Sequence, residues 1–199
     1  MRIKVSGLRA LLVAVVAAVG LFVTAGPAQA VPPEFETGGV FKFKTTWGGG
    51  WVLNTGAAAG SFVHGEDAQV HWNRDWDNNN RWIAEARWVE FGKQWYMFRN
   101  KWSGMCLYAP PSGNGDVEQR VCDVNLDEFY WSFETVASGA DSGQLRNLAH
   151  HRAGKNVWLT QDSAQLFSRV RMAPSQQWST AFWHYKRCAG AGLPELKSC

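Results

Sequence analysis

The side chains that could do chemistry in this chain are scattered along it. His150 and His151 are adjacent, Asp75 and Asp77 stand two apart beside Asn78, Asn79 and Asn80, and the chain holds twelve tryptophans. A strand would send the two histidines to opposite faces, which makes a poor joint metal site. The Asp–Asn run reads as a turn, or more weakly as a calcium loop. There is no Gly-x-Ser-x-Gly elbow, no His-Glu-x-x-His pair, and no phosphate-loop lysine after the glycines at Gly48. Nothing sets a nucleophile beside a base, so the sequence predicts neither catalysis nor a cofactor nor a metal. Binding chemistry remains. Flat indole faces stack on the C–H side of a sugar or insert into a protein partner. Trp72, Trp76, Trp88, Trp95 and Trp102 are the candidates for such exposure.

What must position these groups is a repeat. Trp82 closes Asn80-Arg81-Trp82, Trp131 closes Phe129-Tyr130-Trp131, and Trp178 closes Gln176-Gln177-Trp178, at gaps of 49 and 47 residues. Phe98-Arg99-Asn100 recurs as Leu145-Arg146-Asn147, with Phe41-Lys42-Phe43 in the equivalent place of the first unit. Leu53, Leu107 and Leu159 form a third echo. A fixed period of this size marks stacked or symmetric units. The units are placed at 39–92, 93–142 and 143–185.

Short aromatic or β-branched runs such as Val40–Phe43, Trp82–Glu85, Gln94–Phe98 and Trp131–Thr135 alternate with Gly, Asn, Asp, Ser and Pro clusters. That pattern predicts an all-β barrel or sandwich, and no sustained helical periodicity competes with it. Three equivalent units argue for a β-trefoil, in which large residues of each unit meet at one core. A sandwich would not require the triplication.

The first thirty residues read as a secretory signal peptide. Arg2, Lys4 and Arg9 precede an apolar run of thirteen from Leu11 to Val23, and Ala28-Gln29-Ala30 is a cleavage site. Residues 31–38 are an extended lead-in, and 186–199 a C-terminal tail closed by a disulfide. The net charge of +3 resides in the leader, leaving 17 basic and 17 acidic residues. The basic pI therefore gives no support to nucleic-acid binding, and no second apolar segment predicts a membrane span. A secreted chain with four cysteines should form disulfides. Of the three possible pairings, the expected one joins Cys106 to Cys122 inside the second repeat and Cys188 to Cys199 at the C-terminal end.

The second repeat, from Phe98-Arg99-Asn100 through Ser103-Gly104-Met105-Cys106-Leu107 and Cys122 to Phe129-Tyr130-Trp131, resembles the ricin B-type lectin repeat. That resemblance implies a β-trefoil that binds glycans. Its sugar sites use an Asp after the Cys-Leu pair, an aromatic platform two residues before the second Cys, and polar residues entering the closing motif. Here the Asp place holds Asn54, Tyr108 and Thr160, and the platform place holds His71, Arg120 and Phe167. The second repeat has thus lost its site. The first keeps Asn54, Gln69, His71, Asn79 and Asn80 beside Trp72. The third keeps Gln165, Phe167 and Gln176, with Asp162 standing in for the carboxylate absent at Thr160. The chain is also similar to the ricin-like binding subunits of cytolethal distending toxins, which implies a protein partner in a secreted complex. A trefoil protease inhibitor is a lesser alternative.

Overall fold

A computed structural model of the chain describes residues 35–46, 52–54, 66–67, 69–71, 78–112, 115–135, 142–163, 168–174 and 181–194. The signal peptide, Trp72, Trp76, Asp75, Asp77 and Trp178 lie outside these residues. The described chain is built from short strands: β1 (Val40–Thr45), β2 (Val52–Asn54), β3 (Glu66–Asp67), β4 (Gln69–His71), β5 (Trp82–Glu90), β6 (Lys93–Asn100) and β7 (Cys106–Tyr108). There follow β8 (Glu118–Arg120), β9 (Tyr130–Thr135), β10 (Ser142–Asn147), β11 (Trp158–Gln161), β12 (Val170–Ala173) and β13 (Trp183–Ala189). One α-helix, α1 (Leu148–Arg152), interrupts them among the described residues.

Six of these strands close a barrel. β1 pairs with β5, β5 with β6, β6 with β9, β9 with β10, β10 with β13, and β13 returns to β1, every pair antiparallel. Closure removes the unpaired edges that an open sheet would present. The remaining arms form three hairpins, β2–β4, β7–β8 and β11–β12. The chain between the arms of the first hairpin pairs Asp67 with Glu118 of the second, and Asp116 of the second bridges to Arg171 of the third. A six-stranded barrel with three cyclically related hairpins is a β-trefoil.

The bond that joins barrel to hairpin occurs three times. Trp82 Nε1 donates to the Leu53 carbonyl at 3.1 Å, Trp131 Nε1 to Leu107 at 3.0 Å, and Trp183 Nε1 to Leu159 at 2.9 Å. All six residues are fully buried in one core with Phe43, Phe98 and Leu145. A buried indole N–H needs an acceptor, and the backbone carbonyl at each leucine supplies it.

These bonds correct the sequence frame in the third unit. Trp183, not Trp178, is the equivalent of Trp82 and Trp131, so the closing triplet is Ala181-Phe182-Trp183. The spacing signal was satisfied by Trp178 because a longer third unit carries a tryptophan five residues before the structural one. The first unit shifts too. Trp82 faces Asn100 and Trp131 faces Asn147, whereas Trp183 faces Thr45. The counterpart of Phe98-Arg99-Asn100 is therefore Phe43-Lys44-Thr45, two residues beyond Phe41-Lys42-Phe43. β13 runs to Ala189, so Lys186–Ala189, expected in the tail, close the barrel.

Phe35, expected in a simple lead-in, plugs the barrel instead. Its ring meets Phe41, Phe43, Tyr96, Phe98, Phe133 and Tyr185 edge-on, at centroid distances between 4.8 and 5.8 Å. Its backbone N–H donates to the Tyr96 hydroxyl at 3.1 Å. Space for it comes from the small Ala84 and Gly143 in barrel positions where the other strands carry rings. Gly143 is required for a second reason. A Cβ there would sit 2.4 Å from the Glu134 carbonyl oxygen.

Phe→Ala at position 35 is expected to cost about 3–5 kcal/mol in urea unfolding, because the plug leaves a cavity among fixed rings. Trp82→Phe, Trp131→Phe and Trp183→Phe should each lose at least about 1–3 kcal/mol, since each strands a buried carbonyl. A comparable loss at Trp178 with none at Trp183 would restore the frame read from spacing.

Candidate functional site

The hairpins carry the positions at which the three units can be compared. Strand register aligns them without reference to sequence likeness: Asn54 faces Gln69, Tyr108 faces Glu118, and Thr160 faces Arg171. One step along, Val52 faces His71, Cys106 faces Arg120, and Trp158 faces Ala173. The platform position is therefore His71, Arg120 and Ala173.

The second unit is closed by its own side chains. The Arg120 guanidinium lies 4.2 Å from the centroid of the Tyr108 ring and donates from Nε to Glu118 Oε2 at 2.7 Å. A cation over an aromatic face occupies the surface a sugar would need. Burial raises the Tyr108 phenol above its ordinary value, partly opposed by Arg120, so it stays neutral at physiological pH. The Cys106–Cys122 disulfide staples the base of this hairpin. Cys188 is likewise disulfide-bonded, and its expected partner, Cys199, lies outside the described residues.

In the third unit register sets Ala173 opposite Trp158, and Ala181 stands two residues before Trp183. Gln165, Phe167 and Gln176 themselves lie outside the described residues. Thr160 is buried and its hydroxyl donates to the Trp158 carbonyl at 3.0 Å, which turns it inward. Asp162 is exposed, but its Oδ1 is held by Arg171 Nε at 2.5 Å. Asp162 and Arg171 form a surface ion pair rather than an open acceptor.

In the first unit β2 and β4 put Asn54 opposite Gln69 and His71 on the same arm. Asn54 and Asn80 are buried, so both face the protein more than solvent. The other conspicuous asparagines serve the framework. Asn100 Nδ2 donates to the Asn79 carbonyl at 2.6 Å and its Oδ1 caps the turn at Trp102 and Ser103. Asn147 Nδ2 donates to Glu128 and Tyr130, while its Oδ1 caps α1. An asparagine at an N-cap satisfies amides that the first helical turn leaves orphaned.

The histidine pair lies on α1 and not on a strand, as the sequence implied. His150 is fully buried with Nε2 2.9 Å from the Pro110 carbonyl, and His151 packs against Phe91 and Trp95. Trp95, expected at the surface, is fully buried, with its N–H on the Glu90 carbonyl at 3.0 Å. Trp102 is half-buried, and Trp88 is exposed. Among the described residues no three His, Cys, Asp or Glu side chains gather as metal ligands. None of the described helices is long and apolar enough to cross a membrane.

Solved structures share this fold. The chain is similar to a designed three-fold symmetric protein, ThreeFoil, at 17% identity and TM-score 0.58, over 73% of this chain and 96% of that one. It is similar to the Polyporus squamosus lectin, solved with a sialylated influenza-binding epitope, at 14% identity and TM-score 0.57, over 77% and 50%. A chain of the Haemophilus ducreyi cytolethal distending toxin matches at 17% identity and TM-score 0.53, over 77% and 86%. No family model matches the sequence, and no curated protein does. At these identities the likeness is one of fold.

Burial lowers the His150 pKa below its ordinary 6.5, the Pro110 carbonyl opposing and Lys155 reinforcing. The unfolded chain then binds a proton more readily than the folded one, so stability is lost as pH falls through about 6.5 and below. Urea midpoints measured from pH 7.5 to 5 should decline, and His150→Gln should flatten that decline. An unchanged slope in the variant would show that other groups govern it.

Proposed function

We propose that this is a secreted carbohydrate-binding module, lectin-like in action, whose working site is the first hairpin. The observation that carries it is the strand register. By register the first unit sets Gln69 opposite Asn54 and places His71 at the platform position, residue types that can donate and accept at hydroxyls. The second unit stacks Arg120 on Tyr108, and the third has Ala173 at the platform position. Sugar recognition needs fixed groups that donate and accept at hydroxyls beside an aromatic face. Amides do both, and Trp72 follows His71 directly in sequence.

The neighbours in fold support the class of partner, since one of them was solved holding a sialylated glycan. Disulfides in this chain fit an oxidising, exported setting.

A glycan array on the mature protein, followed by tryptophan-fluorescence titration with the best binder, tests the reading. Gln69→Ala and His71→Ala are each expected to weaken binding about tenfold, or 1.4 kcal/mol, with circular dichroism unchanged. Arg120→Ala and Asp162→Ala should leave the affinity within about twofold. A silent array, or binding that follows Asp162 instead of Gln69, rejects the assignment.

A further inference from the structure

Among the described residues the exposed large apolar side chains are Val121, Val124 and Leu126 between β8 and β9, Leu193 after β13, and three at the tip of the β5–β6 hairpin. Trp88 is 37% exposed, Val89 57% and Phe91 57%. Beyond Ala86 the two strands pair with nothing but each other, from Val89 opposite Gln94 to Glu90 opposite Lys93, and a two-residue turn, Phe91-Gly92, joins them. The tip is a two-stranded ribbon that leans on Tyr130 of β9 and on His151 and Arg152 of α1.

Phe91 holds a left-handed backbone with φ of +55°, the only non-glycine to do so among the described residues. This turn takes Asn-Gly or Gly-Gly without strain, whereas a bulky ring there is costly. Packing does not require it. The ring meets His151 edge-on at 4.7 Å and leaves more than half of the residue exposed. An outlier retained against stability is evidence of a role outside the fold.

The tip is braced from below. Trp88 packs on Tyr130 at 4.6 Å and donates from Nε1 to Glu90 Oε2 at 3.1 Å. Arg152 ties Glu90 to Asp127 at 2.6 Å on each side. Every charge on the ribbon is answered within the chain, Arg87 by Glu85, Glu90 by Arg152 and Lys93 by Glu134. The surface is apolar, convex and electrically balanced. A sugar site is concave, and a charged partner would meet no unanswered charge here. Indole and phenyl groups raised on a rigid tip without net charge match the boundary between lipid headgroups and acyl chains.

We propose that the β5–β6 tip is a membrane-surface anchor, seating Trp88, Val89 and Phe91 at the headgroup–acyl boundary of an uncharged lipid bilayer. This goes beyond sugar binding, and it needs no spanning segment.

The test is co-sedimentation of the mature protein with phosphatidylcholine vesicles, which carry no glycan, so its failure leaves the sugar reading untouched. Binding should occur, persist at 0.5 M NaCl and gain little from added phosphatidylserine. Phe91→Asn is the decisive variant because asparagine tolerates the left-handed turn. It should raise the thermal midpoint by about 2–4 °C while weakening vesicle binding about tenfold. Trp88→Ala should weaken binding comparably. The proposal is overturned if the wild type stays in the supernatant, if Phe91→Asn binds as well as wild type, or if binding requires anionic lipid and vanishes in salt. It is equally overturned if sedimentation velocity shows a dimer that Phe91→Asn dissociates.

Discussion

A buried indole N–H calls for an acceptor, and at the three core tryptophans of the barrel that acceptor is the backbone carbonyl of a leucine in the hairpin of the same unit. That requirement, met at Trp82, Trp131 and Trp183, locks each barrel strand to the hairpin of its own unit. The tryptophan fills the core and orients the hairpin at the same time, so volume and direction are fixed together. Because the three bonds are equivalent, the core is built from three matching contributions, and loss of one cannot be compensated by the others.

Around this symmetric core the barrel mouth is not symmetric. Two of the positions that could carry rings hold Ala84 and Gly143, and the vacancy is filled from outside the repeats by Phe35. The close approach of Glu134 to Gly143 and the edge-on rings around Phe35 are two sides of one packing solution. Interiors pack to crystal-like density, so a missing ring in one unit must be supplied from somewhere in the chain. Here the supplier is a residue ahead of the first strand.

The hairpins share their core-facing leucines but differ at the positions around them. Register places Asn54–Gln69, Tyr108–Glu118 and Thr160–Arg171 at the same geometric point, yet their chemistry differs completely. In the second unit a cation covers its own aromatic partner, and in the third the exposed carboxylate is taken by a neighbouring guanidinium. A scaffold that fixes position leaves composition free to differ from unit to unit.

Sequence alone determined the strand-rich class, the three-unit plan, the leucine triplet and the Cys106–Cys122 bridge, because each is a short-range or periodic consequence of residue type. What the tertiary structure decided was which tryptophan completes the triangle. Spacing favoured Trp178, but only the position of the Leu159 carbonyl selects Trp183. Burial of Trp95, the inward turn of Thr160 and the place of Phe35 were equally invisible along the chain. They depend on which strands become neighbours, and neighbourhood across a closed barrel is set by hydrogen-bond register, a quantity that no local pattern carries.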